Sequence, residues 1–397
     1  MMTRISSFHN YQAVQNDMMR QQTKLSHNTA QMASGKKLLT AGDDPVAMLY
    51  SQNLRQQSEE IKQYLDAIML GRNRLERNEI AIANAETYSD EAKRTVMEMI
   101  NGSLSKEDRH AHAQDLQGLF DNMLNLGNTM DESGNFLFAG TKARTQPFFR
   151  ANDGTVSYAG DDYQRKVRVS NSIEVPVNDP GSKLFMEIRN PFGEFEPVYD
   201  LEVGSTLLLT RATNSDYLDK SEYSVSFFAA PNGQYNYQLS KDGSMVSTGE
   251  YDPSKSIEFG SVAVQVRGEF KSGDTINLTP QRTFNMFDTF QEGIVLSERD
   301  LDDATGTAEL HKVTEQFSAA FINLNRARAD VGSRQGTLDN QENQHDDYNL
   351  TLAKSISNIE DLDYSKAVID FNENTLALKA SQQAFAKTKD ISLFNYI

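Results

Sequence analysis

The chain of 397 residues contains no cysteine. Neither a disulfide framework nor a thiolate-bound metal can form in it, although an exported protein can also dispense with disulfides. Long apolar runs are missing as well. No stretch approaches the ~18 consecutive apolar residues that would cross a bilayer. The N-terminal run MMTRISSFHNYQAVQNDMM lacks the apolar centre of a cleaved signal peptide. Membrane insertion is therefore not expected, and the chain reads either as cytosolic or as exported by a route that needs no such signal. Positive charge is scarce: 39 Lys and Arg stand against 56 Asp and Glu, for a formal charge of −17 and a pI near 4.8. That balance argues against a wide hold on nucleic acid, which requires clustered cations to displace counterions. The local basic spot Arg72, Arg74 and Arg77 reads as solvated helix surface.

Recognisable chemistry is also sparse. The sequence has no HExxH, P-loop, nucleophile-elbow or dinucleotide-glycine motif. Its 6 histidines are scattered; His110 and His112, two apart on one helix, point about 200° from each other and cannot share a metal. His345 falls on a heptad track, where a register-setting polar residue is the better reading. An enzyme housed in the middle of the chain would need paired carboxylates or a metal constellation at recognisable spacing, and none is visible. No catalytic residue, cofactor or metal is expected. Many of the 14 methionines, such as Met18, Met32, Met123 and Met130, fall on helical stripes and read as adaptable core.

What is present is periodicity. The length allows two or three domains at roughly 100 to 200 residues each. From Thr3 to Ser34 there is no proline, and Tyr11, Met18, Leu25 and Met32 recur every seven residues. Ala47, Leu54, Ile61, Ile68, Leu75 and Ile82 continue that spacing after Pro45. Heptads keep one face toward a partner helix and favour a left-handed supercoil. The second helix is expected to run to Asn101-Gly102, roughly 80 Å at 1.5 Å per residue. A third starts at Ser105, where Ser105 and Asp108 have capping-box spacing. Its core ladder reads Leu116, Leu119, Met123, Leu126 and Met130.

Between about Thr145 and Arg282 the period drops to 2 and glycine and proline accumulate. Tyr235, Tyr237 and Leu239 share a face, as do Val262, Val264 and Val266, and Asn232-Gly233 and Asp242-Gly243 supply turns that tolerate positive φ. Helical spacing returns with Phe284, Phe287, Ile294 and Leu301. It continues through Leu310, Val313, Phe317, Ala320, Leu324, Ala327, Val331, Leu338, Leu352 and Ile359, and ends on Tyr364, Phe371, Leu378 and Phe385. The expected fold is α+β, a long coiled-coil bundle made by both chain termini with an antiparallel β-rich insertion. In domains, 1–142 and 283–397 pair as helices and 143–282 forms the inserted β-rich part.

The interruption SGKKLLTAGDDPVA separates the first two helices. Asp44 directly before Pro45 reads as N-cap and first helical residue, since the carboxylate accepts orphan N–H bonds and proline has no N–H to lose there. A catalytic reading of Asp43-Asp44 would require further converging carboxylates or histidines.

This run resembles the N-terminal signature of the flagellin superfamily, a helix stop, a short loop and a D-D-P or D-D-A restart. The C-terminal NIEDLDYSKAVIDFNENTLALKASQQAF is similar to the matching superfamily helix, which starts at Asp361 to Tyr364. Within the superfamily the chain is similar to the hook-associated protein 3 family, on MTRISSF, on LGNTMDESGNFLFAGTKARTQPF from Leu126 to Phe148, and on SGDTINLTP leading into FNMFDTFQEGI. The restart DDPVAMLYS lacks the alanine-glycine run common in filament flagellins; filament flagellin is nonetheless the alternative reading. The resemblance covers both helical ends, more than half of the chain.

It implies a structural adaptor with no active site, forming a helical layer between hook and filament with the β domain facing outward. It also implies export through the flagellar type III apparatus and an extracellular address. The implied partners are further copies of the chain, hook-associated protein 1, flagellin and an export chaperone. The assembly seam would be Tyr11, Met18, Leu25 and Met32 with Tyr364, Phe371, Leu378 and Phe385, and Asp44 and Pro45 would cap the helix break.

Overall fold

The computed structural model describes residues 3–100, 104–229, 234–299 and 304–390. Asn101-Gly102, the Asn232-Gly233 turn and Leu301 lie outside the described residues. Six α-helices are described: α1 (Thr3–Ser34), α2 (Pro45–Ile100), α3 (Lys106–Gly127), α4 (Met286–Glu298), α5 (Ala304–Glu360) and α6 (Tyr364–Asp390). The fold is α+β, with terminal helices on either side of an antiparallel β-rich region in sequence. Residues group into two compact units, one of Met1–Asp66 with Gln341–Ile397 and one of Ala67–Asn340, so α2 and α5 each contribute to both.

In the larger unit, α2 buries Ile68, Leu75, Ile82, Ala85, Ala92, Val96 and Met99, the stripe that heptad spacing demands. These pack with Leu310, Val313, Phe317, Ala320, Leu324, Val331 and Leu338 of α5 in one apolar core. Polar bonds fix the register: Ser89 Oγ donates to the Phe317 carbonyl at 3.2 Å, and Arg328 reaches Glu86 at 3.2 Å.

Helix α3 starts as the sequence indicates, with Asp108 N donating to Ser105 Oγ at 3.1 Å and Ser105 N to Asp108 Oδ2 at 3.3 Å. Its core differs from the expected ladder. Ala113, Leu116, Phe120, Met123 and Gly127 are buried, whereas Leu119 and Leu126 are half-buried and Met130 lies beyond the helix, 49% exposed. The cause is an aromatic cluster: Phe120 meets Phe287 and Phe290 of α4 edge-on, at 6.0 and 6.2 Å between ring centroids. Phe148 stacks so close to Gly127 that a Cβ there would lie 2.8 Å from its ring. Asn128 then pairs with the Phe148 backbone through both its amide atoms, each at 3.0 Å, and stops the helix.

The strands are β1 (Phe148–Arg150), β2 (Val156–Tyr158), β3 (Lys166–Arg168), β4 (Glu174–Pro176), β5 (Ile188–Arg189), β6 (Phe195–Asp200) and β7 (Leu208–Asn214), then β8 (Tyr223–Ala229), β9 (Tyr235–Lys241), β10 (Ser244–Glu250), β11 (Ile257–Phe259), β12 (Val262–Arg267), β13 (Thr275–Pro280) and β14 (Thr283–Phe284). A five-stranded sheet in the order β10-β9-β8-β13-β6 and a three-stranded sheet β11-β12-β7, both antiparallel, share a core of Phe195, Tyr199, Tyr223, Val225, Phe227, Leu239, Val262, Val264, Ile276 and Leu278. The period of 2 accounts for this directly, because alternate side chains face one side of a strand. Asp242 and Gly243, both at positive φ (49° and 77°), turn β9 into β10. The short ribbons β1-β2 and β3-β4 belong instead to the helical core, through Phe148, Val156 and Val175.

In the smaller unit, the first turns of α2 and the last turns of α5 meet at Leu54, Ile61 and Leu352, with Leu65, Ile356 and Ile359 packed around them. Ala47 is half-buried, where the stripe begins.

Candidate functional site

Two helix breaks lie side by side in the smaller unit. Helix α1 stops at Ser34 because Gly35 adopts φ +72°, a left-handed conformation that costs glycine nothing. The chain then runs antiparallel to the second break: Lys37 N donates to the Glu360 carbonyl at 2.7 Å and Leu362 N to the Gly35 carbonyl at 2.9 Å. Tyr364 Oη, at the start of α6, donates to the Met32 carbonyl at 2.9 Å. A Cβ at position 35 would touch that hydroxyl at 3.4 Å.

Asp43 and Asp44 divide the work of restarting the chain. Asp43 Oδ2 accepts from Leu39 N at 2.9 Å and Thr40 N at 2.8 Å, closing the loop on itself. The backbone bonds from Thr40 and Leu39 hold its carboxyl below the usual aspartate value. Asp44 Oδ1 accepts from Val46 N at 3.1 Å and Ala47 N at 3.0 Å, the geometry of an N-cap, with Pro45 as the first residue of α2.

Glu360, the last residue of α5, is the hub. Its side chain is only 7% exposed and meets Lys36 Nζ at 2.6 Å, Arg55 Nε at 2.9 Å and the Ser51 hydroxyl. The side-chain bond from Arg55, then those from Lys36 and Ser51, outweigh burial and bring its carboxyl down to about 2. The pair is reciprocal, and Arg55 is raised by Glu360. One buried carboxylate thus ties α2, the break after α1 and the end of α5 together. The sequence alone does not mark Glu360, Lys36 or Arg55 as partners. The only local signal was an acidic residue at a helix stop, because its partners lie some 300 positions away, at separations of 305 and 324 residues.

Beyond the breaks, α1 and α6 lie against each other. Tyr11 and Phe385 meet at 4.9 Å between ring centroids. Met18, Leu25, Met32, Phe371, Leu378 and Phe385 are half-buried, while Tyr11 and Tyr364 remain 44% and 52% exposed. None of these eight side chains is fully buried, and the same helices also expose Met19, Val368, Ile369 and Leu376. A pair of helices can cover only one stripe on each, and here even that stripe is half open.

Two family descriptions match these ends: the bacterial flagellin N-terminal helical region over residues 5–143, and the bacterial flagellin C-terminal helical region over residues 314–397. Together they take in more than half of the chain. The chain belongs to the flagellin superfamily. It is similar to flagellar hook-associated protein 3 of Escherichia coli (strain K12), 23% identical over 366 residues that make up 92% of this chain and 90% of that protein. The protein of the same name from Salmonella typhimurium (strain LT2) is 29% identical over 160 residues, 40% of this chain and 50% of its relative. Among solved structures, Xanthomonas campestris FlgL is similar at 27% identity and a TM-score of 0.65, over 77% of this chain and 99% of that one. Within the superfamily the chain therefore groups with hook-associated protein 3, and it is a structural component of the bacterial flagellum.

Proposed function

We propose that the chain is a structural adaptor at the flagellar hook-filament junction, polymerising with further copies of itself through its terminal helices. The observation that carries this reading is the half-open seam from Tyr11 to Met32 and from Tyr364 to Phe385, which a neighbouring subunit would complete. In this reading the layer contacts hook-associated protein 1 on the hook side and flagellin on the filament side. An export chaperone covers the terminal helices before assembly. The helical segments 1–142 and 283–397 form the wall, and the β-rich segment 143–282 faces outward. The subunit lies outside the cell and arrives through the type III apparatus without a cleaved signal. The reading assigns no active site to the chain.

Deleting the gene tests it. Hooks that form normally while flagellin accumulates unpolymerised in the medium are the expected result; intact filaments and normal swimming would overturn the proposal. Filament flagellin, the alternative, is separated by adding purified chain to preformed filament seeds. A single terminal layer is expected, and sustained elongation would identify a filament subunit.

A further inference from the structure

Away from the terminal helices, one ammonium is surrounded by carboxylates inside the larger unit. Lys312 of α5 is 5% exposed, and its Nζ lies 2.7 Å from Glu309, 2.7 Å from Glu292 of α4 and 3.6 Å from Glu196 of β6. The carboxylates are themselves largely covered, at 10%, 31% and 19% exposure. The cluster sits where the outer edge of the five-stranded sheet meets α5. There Tyr199 N donates to Glu309 Oε1 at 3.1 Å and Leu201 N to Thr305 Oγ1 at 2.9 Å, so helix side chains satisfy the backbone of an edge strand. Gln316 extends the network, donating to Glu196 at 3.2 Å and accepting from Thr289 of α4 at 3.2 Å.

Three carboxylates around one ammonium leave two negative charges uncompensated if all are ionised, in a site from which water is mostly excluded. Burial makes that state costly, and a proton is the available remedy. We propose that Glu196, Glu292, Glu309 and Lys312 form a proton-linked joint that holds the β6 edge of the sandwich on α4 and α5 more firmly in mild acid than in mild alkali.

The carboxyls and the ammonium at the joint agree on the sign. Burial pushes the Glu292 carboxyl up to about 7 against the opposing pull of Lys312, from an ordinary value of 4.5. Burial also works on Lys312, but Glu292 and Glu309 outweigh it and hold its ammonium above the usual lysine range. Asp288 of α4 is raised by burial, with Glu196 adding to the shift. On the far side, burial and then Arg267 of β12 lower His311 of α5, and burial raises the Tyr199 hydroxyl of β6. A carboxyl whose folded value is raised stabilises fully below its unfolded value, and that contribution is lost as pH rises through the folded value. For Glu292 the window runs from about 4.5 to about 7. His311 works in the opposite sense, so it cannot be the source of such a loss.

The test is hydrogen exchange in the full chain, read on the peptide that spans Phe195–Asp200 at pH 5.5 and pH 8.0 and scaled for the chemical exchange rate. Protection in the parent is expected to fall by about tenfold or more between the two, with a ceiling of roughly 30-fold because only the part of the window above pH 5.5 is sampled. In Glu292→Gln, which is neutral throughout, the fall is expected to shrink well below that of the parent, with Asp288, whose carboxyl burial also raises, contributing the remainder. Equal falls in parent and variant, or none in the parent, would overturn the joint. Lys312→Met supplies a second reading, since three carboxylates without their cation should leave β6 unprotected at pH 8.0 and restore it at pH 5.5. Protection in that variant that is the same at both pH values would also overturn the proposal.

Discussion

Replacing Glu360 by Gln probes the hub between the two helix breaks. The substitution keeps the shape and leaves Lys36, Arg55 and the Ser51 hydroxyl facing a neutral amide. The carboxyl is held at about 2, against 4.5 in an open chain. Taken at face value, that shift corresponds to about 3 kcal/mol. Its two cationic partners are 42% and 54% exposed, so solvent screens part of the interaction, and about 1 to 2 kcal/mol is the working figure. Because the folded value is depressed, the contribution is complete above pH 4.5 and disappears as pH falls toward 2.

Hydrogen exchange at the Lys37 and Leu362 amides, which bridge the two breaks, is the direct assay. At neutral pH the variant should exchange there roughly 5 to 30 times faster than the parent, the factor that 1 to 2 kcal/mol represents. The parent should approach the variant as pH drops from about 4.5 to 2, with the variant flat across that interval. Equal protection in the two proteins at neutral pH, or the same acid dependence, would refute the assignment of Glu360 as the hub.

Four further outcomes follow from the same contacts. The double variant Asp44→Leu with Pro45→Ala should weaken the first turn of α2 by about 0.5 to 2 kcal/mol, read as faster exchange at Val46 and Ala47; an unchanged assembly yield would make the cap incidental to polymerisation. Phe120→Ala, at the centre of the aromatic cluster, should cost about 3 to 5 kcal/mol in urea unfolding of the larger unit. A double-mutant cycle on Tyr11 and Phe385 should give a coupling of about 0.5 to 1.5 kcal/mol in α1 protection, and none if the rings do not pair in solution. Limited proteolysis of soluble monomer should trim roughly the first 40 and last 40 residues before the middle is cut; ends as resistant as the middle in a proven monomer would contradict the half-open seam.

Periodicity made most of the architecture legible, because spacing alone decides which face of a helix or strand can be buried. The heptads on α2 and α5 and the alternation on β12 needed no tertiary information. Phe120 did require it: Leu119 and Phe120 are adjacent apolar residues, and only the position of Phe287 and Phe290 decides which of them turns inward. Lys312 was hidden for a related reason. It sits between Leu310 and Val313 on the buried side of α5, but a lysine three residues after a glutamate reads as a solvated pair until Glu292 and Glu196 arrive from other elements. Asp44 and Pro45 were readable because an N-cap is local. Glu360 was not, since its role depends on two partners more than 300 positions away in sequence.

The two units differ in how their apolar surface is satisfied, and that difference bears on assembly. In the larger unit Phe120, Phe138, Phe148, Phe185, Phe287, Phe290 and Phe317 are completely enclosed, so another chain has nothing to add to that core. In the smaller unit the enclosed set is short, with Leu54, Ile61 and Leu352 at its centre, and the seam residues of α1 and α6 are half covered. Burying a large apolar side chain contributes about 1.5 to 3 kcal/mol, so covering the remaining half of each seam residue would add about 1 kcal/mol per position. Isolated, the α1 and α6 pair must offset the entropy of ordering long helices with half of that contribution. A neighbour that supplied the other half would order the helices and bind them in the same step. The Glu360 hub then has a definite place in the proposed mechanism: it fixes where α1 ends and α6 begins, so that the stripe left open for a neighbour always starts from the same register.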